Sequence, residues 1–158
     1  MSAALFGVIF PFTQREKGTR MKGHCICGAV EITVPDIQEA AVCHCGTCQR
    51  WGGGPLFTLD HDGQLEIRGQ DHIVAYASSD WAERAFCKTC GSHLYYHLKG
   101  HDHYALSAGL FQQSPEVSLS QQIFIDEKPD YYDLSNDTPK LTGAEAFAAF
   151  QAANGESD

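Results

Sequence analysis

Apolar and polar residues alternate along much of the chain, with the period of two that is typical of strands with one buried face. The clearest example is residues 29–34, where Ala, Val, Ile and Val are interrupted by Glu and Thr before the run ends at Pro35. Asp-Gly and Gly-Gln dipeptides, which mark turns, separate several shorter runs. These runs predict further strands at residues 56–59, 65–68, 73–77, 94–98, 104–110 and 123–125.

One segment near the end of the sequence has a convincing helical pattern. Residues 144–153 are rich in Ala and Phe, Thr142 is a candidate N-cap, and Glu145 falls in the first turn. Many short strands with one clear helix favour a mainly β (α+β) domain folded around metal rather than a doubly wound α/β sheet. We expect a zinc domain over residues 21–141, preceded by a flexible extension over 1–20 and followed by a helix and tail over 142–158.

Composition and charge narrow the range of partners. A chain of 158 residues that is 43% apolar can bury a real core. Its 20 acidic and 11 basic residues give a net charge of −9, which disfavours nucleic acid and anionic membranes as partners. No apolar stretch is long enough to span a bilayer. The apolar patch at residues 3–10 lacks the flanking residues of a secretory signal. We therefore interpret residues 1–20 as an extension, with Met21 as a candidate alternative start. Seven cysteines, an odd number, then favour a reducing, cytoplasmic compartment in which clustered thiols bind metal.

All seven cysteines fall into three clusters. Cys-Ile-Cys-Gly at residues 25–28 would place both thiols on one face of an extended segment. Cys-Lys-Thr-Cys-Gly at 87–91 has the spacing of a zinc knuckle, in which Gly91 supplies a positive φ. In Cys-His-Cys-Gly-Thr-Cys at 43–48, the third thiol returns to the face of the first two across a turn at Gly46. His44 points to the other face and is not counted as a ligand.

The number of thiols suggests two unequal sites. Structural zinc takes four protein ligands, whereas catalytic zinc keeps one position open. If the two pairs combine, they close one site and leave a triplet with an open position. Other partitions also fit the spacing, because the knuckle could join two cysteines of the triplet, and a redox role for the knuckle is a further alternative. The favoured partition assigns Cys25, Cys27, Cys87 and Cys90 to the closed site and Cys43, Cys45 and Cys48 to the open one.

An open zinc site with three thiolates favours thiol chemistry over hydrolysis. The three thiolates give the site a net charge of −1 and donate electron density, so it is poorly suited to making hydroxide from water. It is well suited to accept a fourth soft ligand such as a substrate thiol, which coordination would deprotonate. Such a thiolate could add to an electrophile such as an aldehyde.

The sequence resembles the glutathione-dependent formaldehyde-activating enzyme family, which has the Mss4-like fold. The resemblance covers roughly residues 21–141. Residues 49–55 depart from the family pattern in lacking one basic residue and in having a longer glycine run. The matching motifs are Gly-His-Cys-Ile-Cys-Gly-Ala-Val at 23–30, Cys-His-Cys at 43–45 with Cys48, Phe-Cys at 86–87 with Cys90-Gly91 and Leu94, and Ser-Ala-Gly-Leu at 107–110.

The resemblance implies several coiled antiparallel β-sheets around a structural zinc, with two zinc ions per chain. It implies structural ligands at the two cysteine pairs and a catalytic zinc on Cys43, Cys45 and Cys48, next to the glutathione site. The implied reaction is the formation of S-(hydroxymethyl)glutathione from formaldehyde and glutathione, classed as a carbon–sulfur lyase activity. The alternative is a non-catalytic zinc module that binds glutathione or a protein partner, either as a monomer or as a homodimer.

Residues after the triplet are candidates for substrate contacts. Arg50 could meet a carboxylate of glutathione, Trp51 and Phe57 could line a pocket, and Gly53 could let a ligand approach the backbone. The alternatives are a surface or ion-paired arginine, aromatic residues packed in the core, and a flexible turn. His97, His101 and His103 resemble a small metal cluster, but a solvated loop is the favoured interpretation.

Overall fold

The computed structural model describes residues 19–113 and 116–154, and the predicted extension lies almost wholly outside them. Within this part of the chain there are eleven strands and two α-helices, so the mainly β fold with a C-terminal helix is confirmed. The helices are α1 (Gly46–Gly52) and α2 (Gly143–Asn154). The strands are β1 (Arg20–His24), β2 (Glu31–Pro35), β3 (Glu39–Cys43), β4 (Leu56–Asp62), β5 (Glu66–Arg68), β6 (Ile73–Ala77), β7 (Ala82–Cys87), β8 (His93–Leu98), β9 (His103–Ser107), β10 (Ser118–Ile123) and β11 (Lys140–Leu141).

The described strands form two sheets. The smaller is antiparallel in the order β1-β2-β5. The larger has the order β11-β10-β3-β4-β9-β8-β7-β6 and is antiparallel except where β10 runs parallel to β3 and to β11. Alternate residues of both sheets share one core, including Ile32 and Val34 of β2 and Leu59, Leu94 and Leu106 of the larger sheet. The smaller sheet therefore packs against a face of the larger one.

Two of the predicted strands run into 3₁₀ helices in the structure. The strand predicted at 123–125 is wrong, because β10 ends at Ile123 and the chain turns through Phe124, whose φ of 57° is left-handed, into a 3₁₀ helix at Ile125–Glu127. The strand predicted at 104–110 ends at Ser107 and continues as a 3₁₀ helix, Ala108–Leu110.

The C-terminal helix begins as the sequence predicts. Thr142 and Glu145 form a capping box, in which the Thr142 backbone N–H donates to the Glu145 carboxylate at 2.7 Å and the Glu145 N–H donates to the Thr142 hydroxyl at 3.3 Å. The Asp126 carboxylate accepts from the Gly143 N–H at 2.8 Å, and Phe147 packs edge-on against Phe124. These contacts dock α2 onto the turn that follows β10.

Candidate metal centres

The two cysteine pairs meet in a four-thiol cluster. Their sulfur atoms lie within 4.8 Å of one another, with Sγ–Sγ distances of 3.6 Å between Cys25 and Cys27 and 3.8 Å between Cys27 and Cys87. The pair at 25 and 27 converges through a turn closed by a Gly28 N–H to Cys25 carbonyl bond, so the expectation of an extended segment there is wrong. The other pair lies at the end of β7 and in the turn before β8.

Hydrogen bonds hold the knuckle against the first loop. The Gly91 N–H donates to the Cys87 carbonyl at 2.8 Å, and Gly91 has the predicted positive φ, of 75°. The Ser92 hydroxyl accepts from the Ile26 N–H at 3.0 Å and lies 3.3 Å from the Cys90 sulfur. Hydrogen bonds from the hydroxyl and the backbone N–H of Ser92 lower the pKa of Cys90 to about 5, which favours the thiolate that a metal requires.

The remaining three thiols form a second cluster at the end of β3. Cys43 is the last residue of that strand, Cys45 is the N-cap of α1, and Cys48 lies in the first turn of the helix. Their sulfur atoms lie within 4.8 Å of one another, and the Cys45 sulfur accepts from the Cys48 N–H at 3.4 Å. Hydrogen bonds from the Cys43 and Cys48 thiols lower the pKa of Cys45, whereas hydrogen bonding to Cys45 and burial raise the pKa values of Cys43 and Cys48. One thiolate therefore forms readily in this group, and a bound metal would displace the other two protons.

Both clusters fit a thiophilic divalent metal. All seven cysteines are free, and the sulfur separations of 3.6 and 3.8 Å in the four-thiol cluster are far longer than the 2.05 Å of a disulfide. Four sulfurs at about 2.3 Å from a tetrahedral zinc would be about 3.8 Å apart, close to the separations in the four-thiol cluster. A backbone N–H also donates to a sulfur in each cluster, from Val30 to Cys25 at 3.3 Å and from Cys48 to Cys45.

His44 faces away from the triplet, as the sequence predicts. It is fully buried, with Nδ1 2.5 Å from the Tyr132 hydroxyl and Nε2 3.1 Å from the Gln122 side-chain oxygen. Because that oxygen can only accept, Nε2 carries the proton and Tyr132 donates to Nδ1. The ring thereby fixes the backbone between Cys43 and Cys45 to β10 and to the segment that follows it.

Gln49 ties the helix of the triplet to the turn after β10. Its amide nitrogen donates to the His44 carbonyl at 2.5 Å and to the Glu127 carbonyl at 3.0 Å. The Glu127 carboxylate in turn accepts from the Gly46 N–H at 2.6 Å. Gln49 and Glu127 together hold the first turn of α1 in place.

Sequence reasoning missed Arg84 as a residue of this site. Its side chain reaches from β7 to the triplet and donates to the Cys48 sulfur at 3.6 Å. The guanidinium also lies 5.6 Å from the ring centre of Trp51 and 5.3 Å from that of Tyr96. No local motif marks Arg84, because its proximity to the triplet depends on how β7 packs against α1.

The candidate substrate residues flank, along the chain, an open glycine turn at the C-terminal end of α1, whereas the triplet lies around the N-terminal end of that helix. Arg50 is exposed, and Trp51 is half-buried and stacks on His93 with ring centres 4.1 Å apart. Phe57 is 39% exposed. Residues 52–54 are glycines with no atom within 4 Å of where a Cβ would lie, and Gly53, with a φ of 77°, ends α1. The space over this turn is therefore open to a ligand.

The three downstream histidines do not form a metal cluster in the described part of the chain. His97 bonds to the Glu83 carboxylate at 3.0 Å and to the His101 carbonyl at 2.9 Å, and it stacks on Tyr104. His103 bonds to the Asp62 carboxylate at 2.7 Å. Among the residues described, no helix is both long and apolar enough to cross a membrane.

A mainly β fold that gathers four thiols in one cluster and three in another defines a cysteine-rich protein with two groups able to hold metal ions. Comparison with known proteins identifies the class more closely. Residues 20–127 match the family model for the glutathione-dependent formaldehyde-activating enzyme, and the chain belongs to that family.

Two relatives illustrate the similarity. A protein of Schizosaccharomyces pombe (strain 972), named as an uncharacterized lyase, is 33% identical over 123 residues, which is 77% of this chain and 90% of that protein. The crystal structure of a Rhodobacter sphaeroides protein matches with a TM-score of 0.48 and 25% identity, over 63% of this chain and all of the other. Family membership and the lyase relative together support a lyase-type function for this chain.

Proposed function

We propose that the protein is a zinc-dependent carbon–sulfur lyase that adds glutathione to formaldehyde and so forms S-(hydroxymethyl)glutathione. The observation that carries the proposal is the triplet, in which Cys43, Cys45 and Cys48 converge without a fourth thiol among the described residues. The glycine turn at the other end of α1 has no atom within 4 Å of its Cβ positions, which leaves room there for the body of a ligand whose thiol reaches the triplet. The family supplies the identities of the two substrates.

The two clusters have different roles in this proposal. Cys25, Cys27, Cys87 and Cys90 would hold a structural zinc, and the triplet would hold a second, catalytic zinc. With three thiolate ligands, that zinc would offer one open position to a soft ligand and favour the thiolate form of a bound thiol. In the net reaction a sulfur–carbon bond forms, the carbonyl π bond breaks, and the thiol proton ends on the new hydroxyl oxygen.

The chain's own residues bind and orient the substrates. We propose that Arg50, exposed on α1, pairs with a glutathione carboxylate, and that Trp51 forms a wall of the binding site, held in place by its stacking on His93. The glycine at 53 lets the peptide backbone of glutathione lie close to the turn. Gln49 and His44 keep the triplet backbone rigid while the substrates bind and react.

The remaining proposals concern the cellular compartment, the domain bounds and the oligomeric state. Seven free, clustered thiols suit a reducing cytoplasmic compartment. We propose a zinc domain over residues 21–141 with the C-terminal helix as an appendage, acting as a monomer or homodimer. Met21 lies within β1, one residue after the start of that strand, and is 3% exposed, so its side chain would belong to the core of the domain.

The test is to measure the exchange of formaldehyde and glutathione with their adduct by NMR, with and without the zinc-loaded protein. We expect the wild type to accelerate exchange above the spontaneous rate and a Cys48→Ser variant to leave it at that rate. Wild-type protein with two zinc ions that gives no acceleration would reject the enzyme and leave a zinc module that only binds thiols.

A further inference from the structure

Arg84 is a buried charge without a carboxylate partner among the described residues. It is 8% exposed on β7, whereas the described arginines that do form ion pairs, Arg20 and Arg68, are largely exposed and bound to glutamates. Buried charges are costly unless they are paired. Its side chain instead contacts the triplet through the Cys48 sulfur, which would be a thiolate when a metal is bound.

The surroundings of Arg84 fix its guanidinium in one place. One terminal nitrogen donates to the Ser78 hydroxyl at 2.5 Å and the other to the Cys48 sulfur at 3.6 Å. The plane is bordered by the rings of Trp51 and Tyr96, which favour a cation through their π faces. The Nε atom is buried and has no hydrogen-bond partner among the described residues, so local hydrogen bonding alone does not explain this placement.

The charge of the triplet gives Arg84 a function. Three thiolates and one divalent ion carry a net charge of −1, and a substrate thiolate would raise this to −2. A fixed positive charge beside Cys48 brings the total back to −1, and in a partly buried site this compensation is strong. It acts on an anionic fourth ligand and has little effect on a neutral one.

We propose that Arg84 is the positioning residue that makes the triplet selective for an anionic thiolate ligand, by holding the Cys48 sulfur and compensating the charge that the ligand adds. This inference rests on the proposed function only in requiring a divalent metal at the triplet. It does not depend on formaldehyde, on the reaction rate or on the contacts of Arg50.

The test uses full-length protein loaded with Co²⁺, titrated with glutathione and separately with imidazole, while thiolate-to-cobalt and ligand-field absorbance are recorded. For Arg84→Met we expect glutathione binding to weaken by about tenfold or more and imidazole binding to change by less than about twofold. Arg84→Lys keeps the charge and should restore most of the glutathione affinity. Arg68→Met removes an exposed arginine and should change neither ligand.

The cobalt content of the four-thiol cluster reports whether each variant is folded. If Arg84→Met binds both ligands as the wild type does, or loses both equally while retaining two cobalt ions, the inference is overturned. If Arg84→Met does not fold, Arg84→Lys decides: near-normal glutathione binding supports the inference, and a loss equal for both ligands overturns it. Loaded wild-type protein that binds no glutathione would instead overturn the proposed function, and this inference with it.

Discussion

Gly69 shows how a single residue keeps the loop of the four-thiol cluster in place. It precedes a 3₁₀ helix with a φ of 80°, and a Cβ there would lie 1.8 Å from the Ala29 carbonyl oxygen. Ala29 follows directly on the cysteine turn at 25–28. Because backbone cannot move aside as a flexible side chain can, this close approach allows only glycine.

We therefore expect Gly69→Ala to destabilise the zinc-loaded protein by at least about 2 kcal/mol more than Gly100→Ala. Gly100 has the same φ of 80° but no atom within 4 Å of its Cβ position, so its substitution costs only about 1 kcal/mol of backbone strain. Urea unfolding of the two variants measures the difference. Equal midpoints would show that the close contact at Gly69 contributes nothing.

Ser92 sets the acidity of one ligand of the same cluster. Its hydroxyl and backbone N–H lower the pKa of Cys90 from 9.0 to about 5. A thiol whose pKa is depressed in the folded state adds stability that is fully present above pH 9.0 and is lost as the pH falls through about 5. Protons then compete with the metal for the sulfur.

Ser92→Ala should accordingly release zinc from the four-thiol cluster at a higher pH than the wild type, because the Cys90 pKa rises when the hydroxyl is lost. Ser92→Thr retains a hydroxyl and should behave like the wild type. Zinc release during acid titration, followed with a chromogenic chelator, gives the midpoint. A midpoint for the alanine variant at or below that of the wild type would contradict this role.

Among the elements, α2 depends most directly on local sequence. Thr142→Ala removes one half of the capping box and should destabilise the helix by about 1 kcal/mol, while Thr142→Ser should retain the cap. Hydrogen exchange at the α2 amides is the measurement, since the helix lies at the end of the described chain. Protection in the alanine variant equal to that in the serine variant would show that docking to Phe124 alone holds the helix.

The elements that sequence reasoning missed are those that tertiary contacts stabilise. Helix α1 is only seven residues long and contains two glycines, so it has no helical periodicity to detect, and Gln49 and Glu127 hold it by side-chain bonds. Strands β3 and β7 each pair with a neighbour on both sides in the larger sheet, and β1, β11 and all but the last residue of β10 also went unpredicted. Longer alternating runs, such as the one that forms β2, could be predicted because a period of two is visible within a few neighbouring residues of the sequence.

On the scale of the whole molecule, the thiols of the candidate metal sites were easier to predict from the sequence than the residues that surround them. The spacing and number of the cysteines, together with the family resemblance, favoured one partition of the thiols over others, and the structure brings those same groups together. Arg84 could not be found this way, because it approaches Cys48 only after β7 has packed beside α1. The four-thiol cluster also joins the loop between β1 and β2 to the turn between β7 and β8, which links the two sheets.

The most direct test of the central claim, that the thiols form one closed and one open zinc site, is the zinc content of the wild type and of Cys48→Ser, both purified with zinc and reductant. We expect two ions per chain in the wild type and one in the variant, which should keep its circular dichroism and cooperative unfolding. Cys87→Ser, in the closed site, should instead lose the fold. A single zinc ion in the wild type, or an unfolded Cys48→Ser protein, would contradict the account.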